Sequence, residues 1–199
     1  MDQIVTQLMN MLGKGDGLSQ LSRSIGGSKR ATKSALEMVL PSMIHAMNRN
    51  TNSREGAASL LGALERDHDG SILERLGDAI ASPNESAGMG ILGHLFGGKT
   101  RGVESSIGRA SGLNSGQITR LLITLAPIVL GLLGKMKGQR KLDSGALSDL
   151  LGREDSRTSS RKRKRLSPLM QFLDQDGDGD VTGEVIKIGT GLLGRLFRR

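Results

Sequence analysis

The chain has 199 residues, 36% of them hydrophobic, and a formal net charge of +8. It has no cysteine, tryptophan or tyrosine, and Phe96, Phe172 and Phe197 are its only aromatic residues. Disulfides, thiolate metal sites and cysteine nucleophiles are therefore excluded. So few rings argue against β-sheet and against a nucleic-acid surface that stacks bases on aromatic side chains.

The positive charge is concentrated. Residues 153–165 hold seven Lys/Arg against two Asp/Glu, whereas residues 166–199 hold four against five. The N-terminus, MDQIVTQLMNMLGKG, opens with an acid and has no basic residues ahead of its apolar ones, so it does not read as a signal peptide. The longest apolar stretch, Leu121 to Leu133, has 13 residues and is interrupted by Thr124 and Pro127. Crossing a bilayer takes about 20. These features place the chain, as an expectation, in the cytoplasm without a transmembrane segment.

Residues 2–12 put Ile4, Val5, Leu8, Met11 and Leu12 on one helical stripe. A short helix with Leu18, Leu21 and Ile25 follows and should end at Gly26-Gly27. Ser28 has the chemistry of an N-cap for a longer helix carrying Leu36, Val39, Leu40, Met43, Ile44 and Met47. Pro41 lies inside that helix; an interior proline costs about 3 kcal/mol and removes a backbone bond, which predicts a kink or two abutting helices. Further helices are expected over about 53–65, after Asp69-Gly70-Ser71, and from Ser82-Pro83-Asn84 to Gly97-Gly98. No stretch alternates as a strand does. The fold class is all-α, a multihelical compact array of short helices with no β-sheet.

The chain also repeats itself. A shift of 86 residues lays Leu21 on Ile107, Arg23 on Arg109, Gly26 on Gly112, Leu36 on Leu122 and Pro41 on Pro127. Leu60-Leu61-Gly62 matches Leu150-Leu151-Gly152 at a shift of 90. This predicts an internal duplication, with copies at about 17–66 and 103–152 inside a core of 1–152. Residues 153–167, REDSRTSSRKRKRLS, read as a basic flexible linker. Residues 168–199 read as a helix, an acidic loop and a closing helix with Val185, Ile188, Leu192, Leu193 and Leu196 on one stripe.

Four stretches together, HDGSIL (68–73), GILGHLFGGK (90–99), LAPIVLGLLGK (125–135) and FLDQDGDGDV (172–181), resemble the YidB-like bacterial family of proteins of unknown function. The resemblance implies a compact array of short helices and no established activity.

The acidic loop carries the clearest chemistry. Asp174, Asp176 and Asp178 occupy positions 1, 3 and 5 of an EF-hand register, with Gly179 at the tight turn. Asp180 and Thr182 take positions 7 and 9, which supply carbonyl and side-chain or water-mediated ligands. Position 12 is Val185, and Glu184 stands one residue early. Alternate carboxylates in a short loop match the oxygen shell that calcium requires, so a structural calcium ion is the expected cofactor, held by Asp174, Asp176, Asp178, Asp180, Thr182 and Glu184.

Residues 93–100, Gly-His-Leu-Phe-Gly-Gly-Lys-Thr, match the phosphate-binding pattern G-x-x-x-x-G-K-[ST]. That mechanism needs a strand before the loop and a helix after it, and no strand is predicted here. His45, His68 and His94 show no metal-ligand spacing, and no nucleophile elbow is present. The run Arg161-Lys162-Arg163-Lys164-Arg165 could grip the phosphates of nucleic acid or anionic lipid. The sequence thus reads as a non-enzymatic interaction or self-associating module with a calcium loop. The alternative is polyanion binding through 161–165, with nucleic acid as a weaker partner than protein.

Overall fold

In this computed structural model residues 3–165 are described, with side chains to residue 157. The described residues form α1 (Gln3–Gly13), α2 (Gly17–Ile25), α3 (Lys29–Asn50), α4 (Arg54–Arg66), α5 (Leu76–Ala81), α6 (Glu85–Phe96), α7 (Thr100–Ser111), α8 (Ser115–Arg140) and α9 (Ser144–Arg165). Two 3-10 turns, Ser71–Arg75 and Gly97–Lys99, join α4 to α5 and α6 to α7. Among the described residues there is no strand. The all-α expectation holds, although α3, α8 and α9 are longer than an array of short helices implies. Residues 1–155 form one compact unit and residues 156–199 a second.

The helix ends follow local chemistry. Ser28, Ser53, Asn84 and Asn114 each accept a hydrogen bond from the backbone three residues ahead, which satisfies an amide that the first turn leaves without a partner. At Asn114 the bond is reciprocated by the Gln117 side chain, closing a capping box. Gly26 and Gly112 stop α2 and α7 in the left-handed conformation, at φ 71° and 78°, where a side chain would be strained. Pro41 and Pro127 do not divide their helices. α3 runs unbroken for 22 residues and α8 for 26. Both prolines are buried, and burial of the surrounding apolar residues offsets the bond each removes.

α8 is the axis of the unit. It packs against α1, α2, α3, α4, α5, α6 and α7, and every residue from Leu121 to Gly134 is buried. By length and composition it could cross a membrane, with a mean hydropathy of 1.7, but 78% of that window is buried inside the protein. An all-apolar helix enclosed by its own chain is a core helix.

Three of the stretches noted in the sequence meet on this helix. Gly134 and Gly131 lie under the 68–72 turn; a Cβ at Gly134 would collide with the His68 carbonyl, and one at Gly131 with the Ile72 side chain. Gly88 of α6 packs on α8 at Ile123, where a Cβ would fall 2.6 Å from the carbonyl oxygen. Pro127 lacks the N–H that would otherwise bond the Ile123 carbonyl within the helix. The glycine of α6 therefore sits against the carbonyl whose i+4 residue in the helix is the proline. Around the axis, Lys137 Nζ reaches Glu65 Oε1 of α4 at 2.6 Å. Arg140 Nη2 donates to Gln3 Oε1 of α1 at 2.8 Å.

The segment expected as a linker differs. Residues 153–165 are helical, the second half of α9. Leu147, Leu151 and Glu154 are buried at i, i+4 and i+7, so the core stripe of α9 extends beyond residue 152, and Asp155 still belongs to the first unit. The dense charge of 153–165 concealed the helical period, since Glu154 holds a position where an apolar residue was looked for.

Candidate functional site

The strongest polar cluster among the described residues lies where α9 meets α1 and α3. Glu154 is fully buried, and its Oε2 accepts the backbone N–H of Ile4 at 3.1 Å. Ile4 lies in the first turn of α1, whose amides lack intrahelical partners, and a carboxylate there is favoured by the positive end of the helix dipole. One residue on, the Asp155 carboxylate faces α3. His45 Nδ1 lies 3.1 and 3.0 Å from its two oxygens, and Asn48 Nδ2 donates to Oδ2 at 2.9 Å. Because a carboxylate only accepts, the His45 proton is assigned to Nδ1. The His45 side chain is 56% exposed and that of Asp155 13%.

A histidine oriented by an aspartate is half of a nucleophile-activating array. Among the described residues no hydroxyl is hydrogen-bonded to His45, whose ring contact is with Asp155. Ser42 donates to the Met38 carbonyl at 2.8 Å, and Ser148 to the Thr51 carbonyl at 3.2 Å. What this geometry does is fasten α9 to α1 and α3 over sequence separations of 150, 110 and 107 residues.

The phosphate-binding pattern at 93–100 has the wrong frame. Gly93 to Phe96 form the last turn of α6, Gly97–Lys99 is a 3-10 turn, and Thr100 donates to the Gly97 carbonyl at 2.9 Å. A helix stands where the mechanism needs a strand. Of the other histidines, His94 is exposed on α6, and its carbonyl accepts from Asn50 Nδ2 at 2.8 Å. His68 is half-buried beside the α8 axis.

Burial holds the His68 pKa below its ordinary 6.5, against a smaller upward pull from Asp67. Hydrogen bonds from Ser71 hold Asp69 below its ordinary 3.8. A lowered histidine pKa means that just below 6.5 the unfolded chain binds a proton the folded chain refuses. Its contribution to stability is therefore complete above 6.5 and is lost as pH falls towards the folded value. The Asp69 contribution is complete above 3.8 and is lost only under more acid conditions. We expect thermal midpoints to fall as pH is lowered through 6.5, and His68→Gln to flatten that slope. An unchanged slope in the variant would remove His68 from the account.

The expected calcium ligands Asp174, Asp176, Asp178, Asp180, Thr182 and Glu184 lie outside the described residues. Arg161, Lys162, Arg163, Lys164 and Arg165 have a helical backbone in α9, and their side chains are outside the description. Among the described residues no group of three or more His, Asp or Glu could hold a metal ion. The cluster at α9 was missed in the sequence because 153–167 was read as a linker. Its available signal was Glu154 falling on the Leu147–Leu151 stripe.

Fold and site together define, over residues up to 155, a helical unit packed on one apolar axis, with Glu154 buried against the start of α1. The family model described as bacterial protein of unknown function (DUF937) matches residues 6–136, and the chain belongs to that family. No curated protein and no solved structure matches it.

Proposed function

We propose that the protein is a non-enzymatic interaction module that self-associates or docks another protein through a helix face. The observation supporting this is the outward side of α6. Met89 is 53% exposed, large and apolar, and an added Cβ at Gly90 or Gly93 beside it would meet nothing within 4 Å. An exposed methionine next to bare backbone lets a second helix approach closely and fill irregular gaps. Light scattering over a concentration series should show a rising mean mass, and Met89→Glu should abolish the rise while leaving the thermal transition in place. A wild-type chain that stays monomeric throughout the series would overturn self-association.

The calcium loop is part of this reading, on the strength of its ligand spacing. Calorimetric titration with calcium should give saturable heat that is lost when Asp174, Asp176 and Asp178 are all changed to Asn. Equal heats from both chains would show that the loop is not the site. The second reading, polyanion binding through 161–165, draws on five consecutive cations at the end of α9.

The internal duplication belongs with these proposals. Its support is the recurrence of whole joints: the left-handed stops Gly26 and Gly112, the caps Ser28 and Asn114 and the buried prolines Pro41 and Pro127 all lie 86 apart. Ser53, which accepts from Gly56 N, and Asp143, which accepts from Ala146 N, lie 90 apart.

A further inference from the structure

Charge on the first unit is divided. Residues 54–85 hold three Lys/Arg against seven Asp/Glu, whereas neither 17–36 nor 105–142 holds a single acid. Those two acid-free stretches meet. Each contains a helix joint, 26–28 between α2 and α3 and 112–114 between α7 and α8. Gln117 Nε2 donates across them to the Gly26 carbonyl, and a Cβ at Gly27 would fall 2.9 Å from Leu113 Cδ2. Arg23, Lys29 and Arg30 flank the first joint and Arg109 the second, with Lys33 and Arg120 within two helical turns. All six are exposed, and among the described residues none of them forms an ion pair. The acids on these four helices are Glu37 of α3 and Glu104 of α7, which accepts the Thr119 hydroxyl at 2.7 Å.

Helix formation does not ask for all of these cations. Arg23 and Arg109 lie in the last turns of α2 and α7, where positive charge complements the helix dipole. Lys29 and Arg30 do the opposite. They open α3, whose first turn has no acid, and they oppose the positive end of its dipole. Ser28 and Asn114 already take an amide from the first turns of α3 and α8, so a partner here meets side-chain charge. Residues that break a local rule without compensation inside the fold are expected at functional sites.

The surroundings select the partner. Gly26, Ser28, Gly112, Asn114 and Ser115 are the exposed residues at the joints, and the exposed large hydrophobic residue of the described chain, Met89, is on α6. Stable attachment to a lipid surface takes an inserted apolar group besides charge. Single strands are gripped by stacking on rings, and Phe96, the aromatic residue among those described, packs against the core. Duplex phosphates need only Arg and Lys, with hydroxyl and amide side chains between them. We propose that the surface carrying Arg23, Lys29, Arg30, Lys33, Arg109 and Arg120 docks on the phosphate backbone of duplex nucleic acid without reading its sequence. It uses none of residues 161–165 and not the Met89 face, so it is independent of both earlier readings.

The test uses the full-length chain with 161–165 replaced by Ser, so that this run contributes nothing. Its binding to fluorescent DNA duplexes of two unrelated sequences would be followed by anisotropy over a salt series. With all six cations engaged, log K should fall with log salt at a slope of about −5, alike for both sequences. Lys29→Gln with Arg30→Gln should weaken binding about tenfold or more and reduce the slope by about 2. The thermal midpoint should not fall, because the change relieves the start of α3. If it does fall, Arg109→Gln with Arg120→Gln repeats the test from the second joint. Arg66→Gln with Arg75→Gln removes the same charge from the acidic stretch and should leave binding and slope unchanged. Absence of binding by the Ser-substituted chain overturns the proposal. Equal weakening by the joint pair and the Arg66, Arg75 pair also overturns it, since net charge alone would then be at work. Tighter binding of single strands, or binding of phosphatidylglycerol vesicles but not DNA, overturns it in favour of those partners.

Discussion

Gly134→Ala is expected to destabilise the fold by about 3 kcal/mol, the upper end of the usual cost of overpacking. The new methyl would enter the space of the His68 carbonyl oxygen and crowd the Cα of Asp69. Neither is the free end of a side chain that could swing aside. Intrinsic helix propensity works in the opposite direction, since alanine is better than glycine inside a helix by about 1 kcal/mol. Gly138, one turn further along α8, isolates that term, because nothing lies within 4 Å of its added Cβ. Gly138→Ala should therefore stabilise by up to about 1 kcal/mol. Chemical denaturation of the two variants checks both signs. If the two shift alike, the 68–72 turn does not rest on α8 as described.

That pair of glycines also shows where sequence reading succeeds and where it stops. The helix ends were legible because capping and left-handed stops are local: Ser28, Asn84 and Gly26 act on amides and carbonyls within a turn of themselves. The apolar stripes of α1, α2 and α3 were legible for the same reason, since period and composition agree there. Which glycine serves as a contact pad was not, because Gly134 and Gly138 are equivalent until the partner turn, more than 60 residues away, is placed over one of them. In sequence Pro127 is only an interruption of the apolar stretch 121–133. The packing of Gly88 on the Ile123 carbonyl, four residues before that proline, depends on a neighbour that spacing alone does not name. The joint between α9 and the rest of the core was obscured by charge, because a buried carboxylate breaks the rule that polar residues mark the solvent side.

Glu154 tests that exception. Glu154→Ala removes the acceptor of the Ile4 amide and leaves a gap at a fully buried position. A donor stripped of its partner and a cavity both carry a cost, together about 2–4 kcal/mol. Glu154→Gln keeps the volume and an acceptor oxygen and loses the charge facing the start of α1, so it should cost less than the alanine variant, about 1 kcal/mol. The ratio of the two effects separates the hydrogen bond and packing from the charge–dipole attraction. Asp155→Ala should cost less than Glu154→Ala. Its partner His45 is largely exposed, and a polar contact open to solvent contributes little. Hydrogen exchange locates the damage: amides in the first turns of α1 should lose protection in Glu154→Ala, while those in the middle of α8, enclosed by seven other helices, should hold theirs. If α1 stays protected in the alanine variant, the carboxylate is not what anchors it, and the apolar contacts of Ile4, Leu8 and Leu12 with the Arg140–Gln3 bond hold α1 in place.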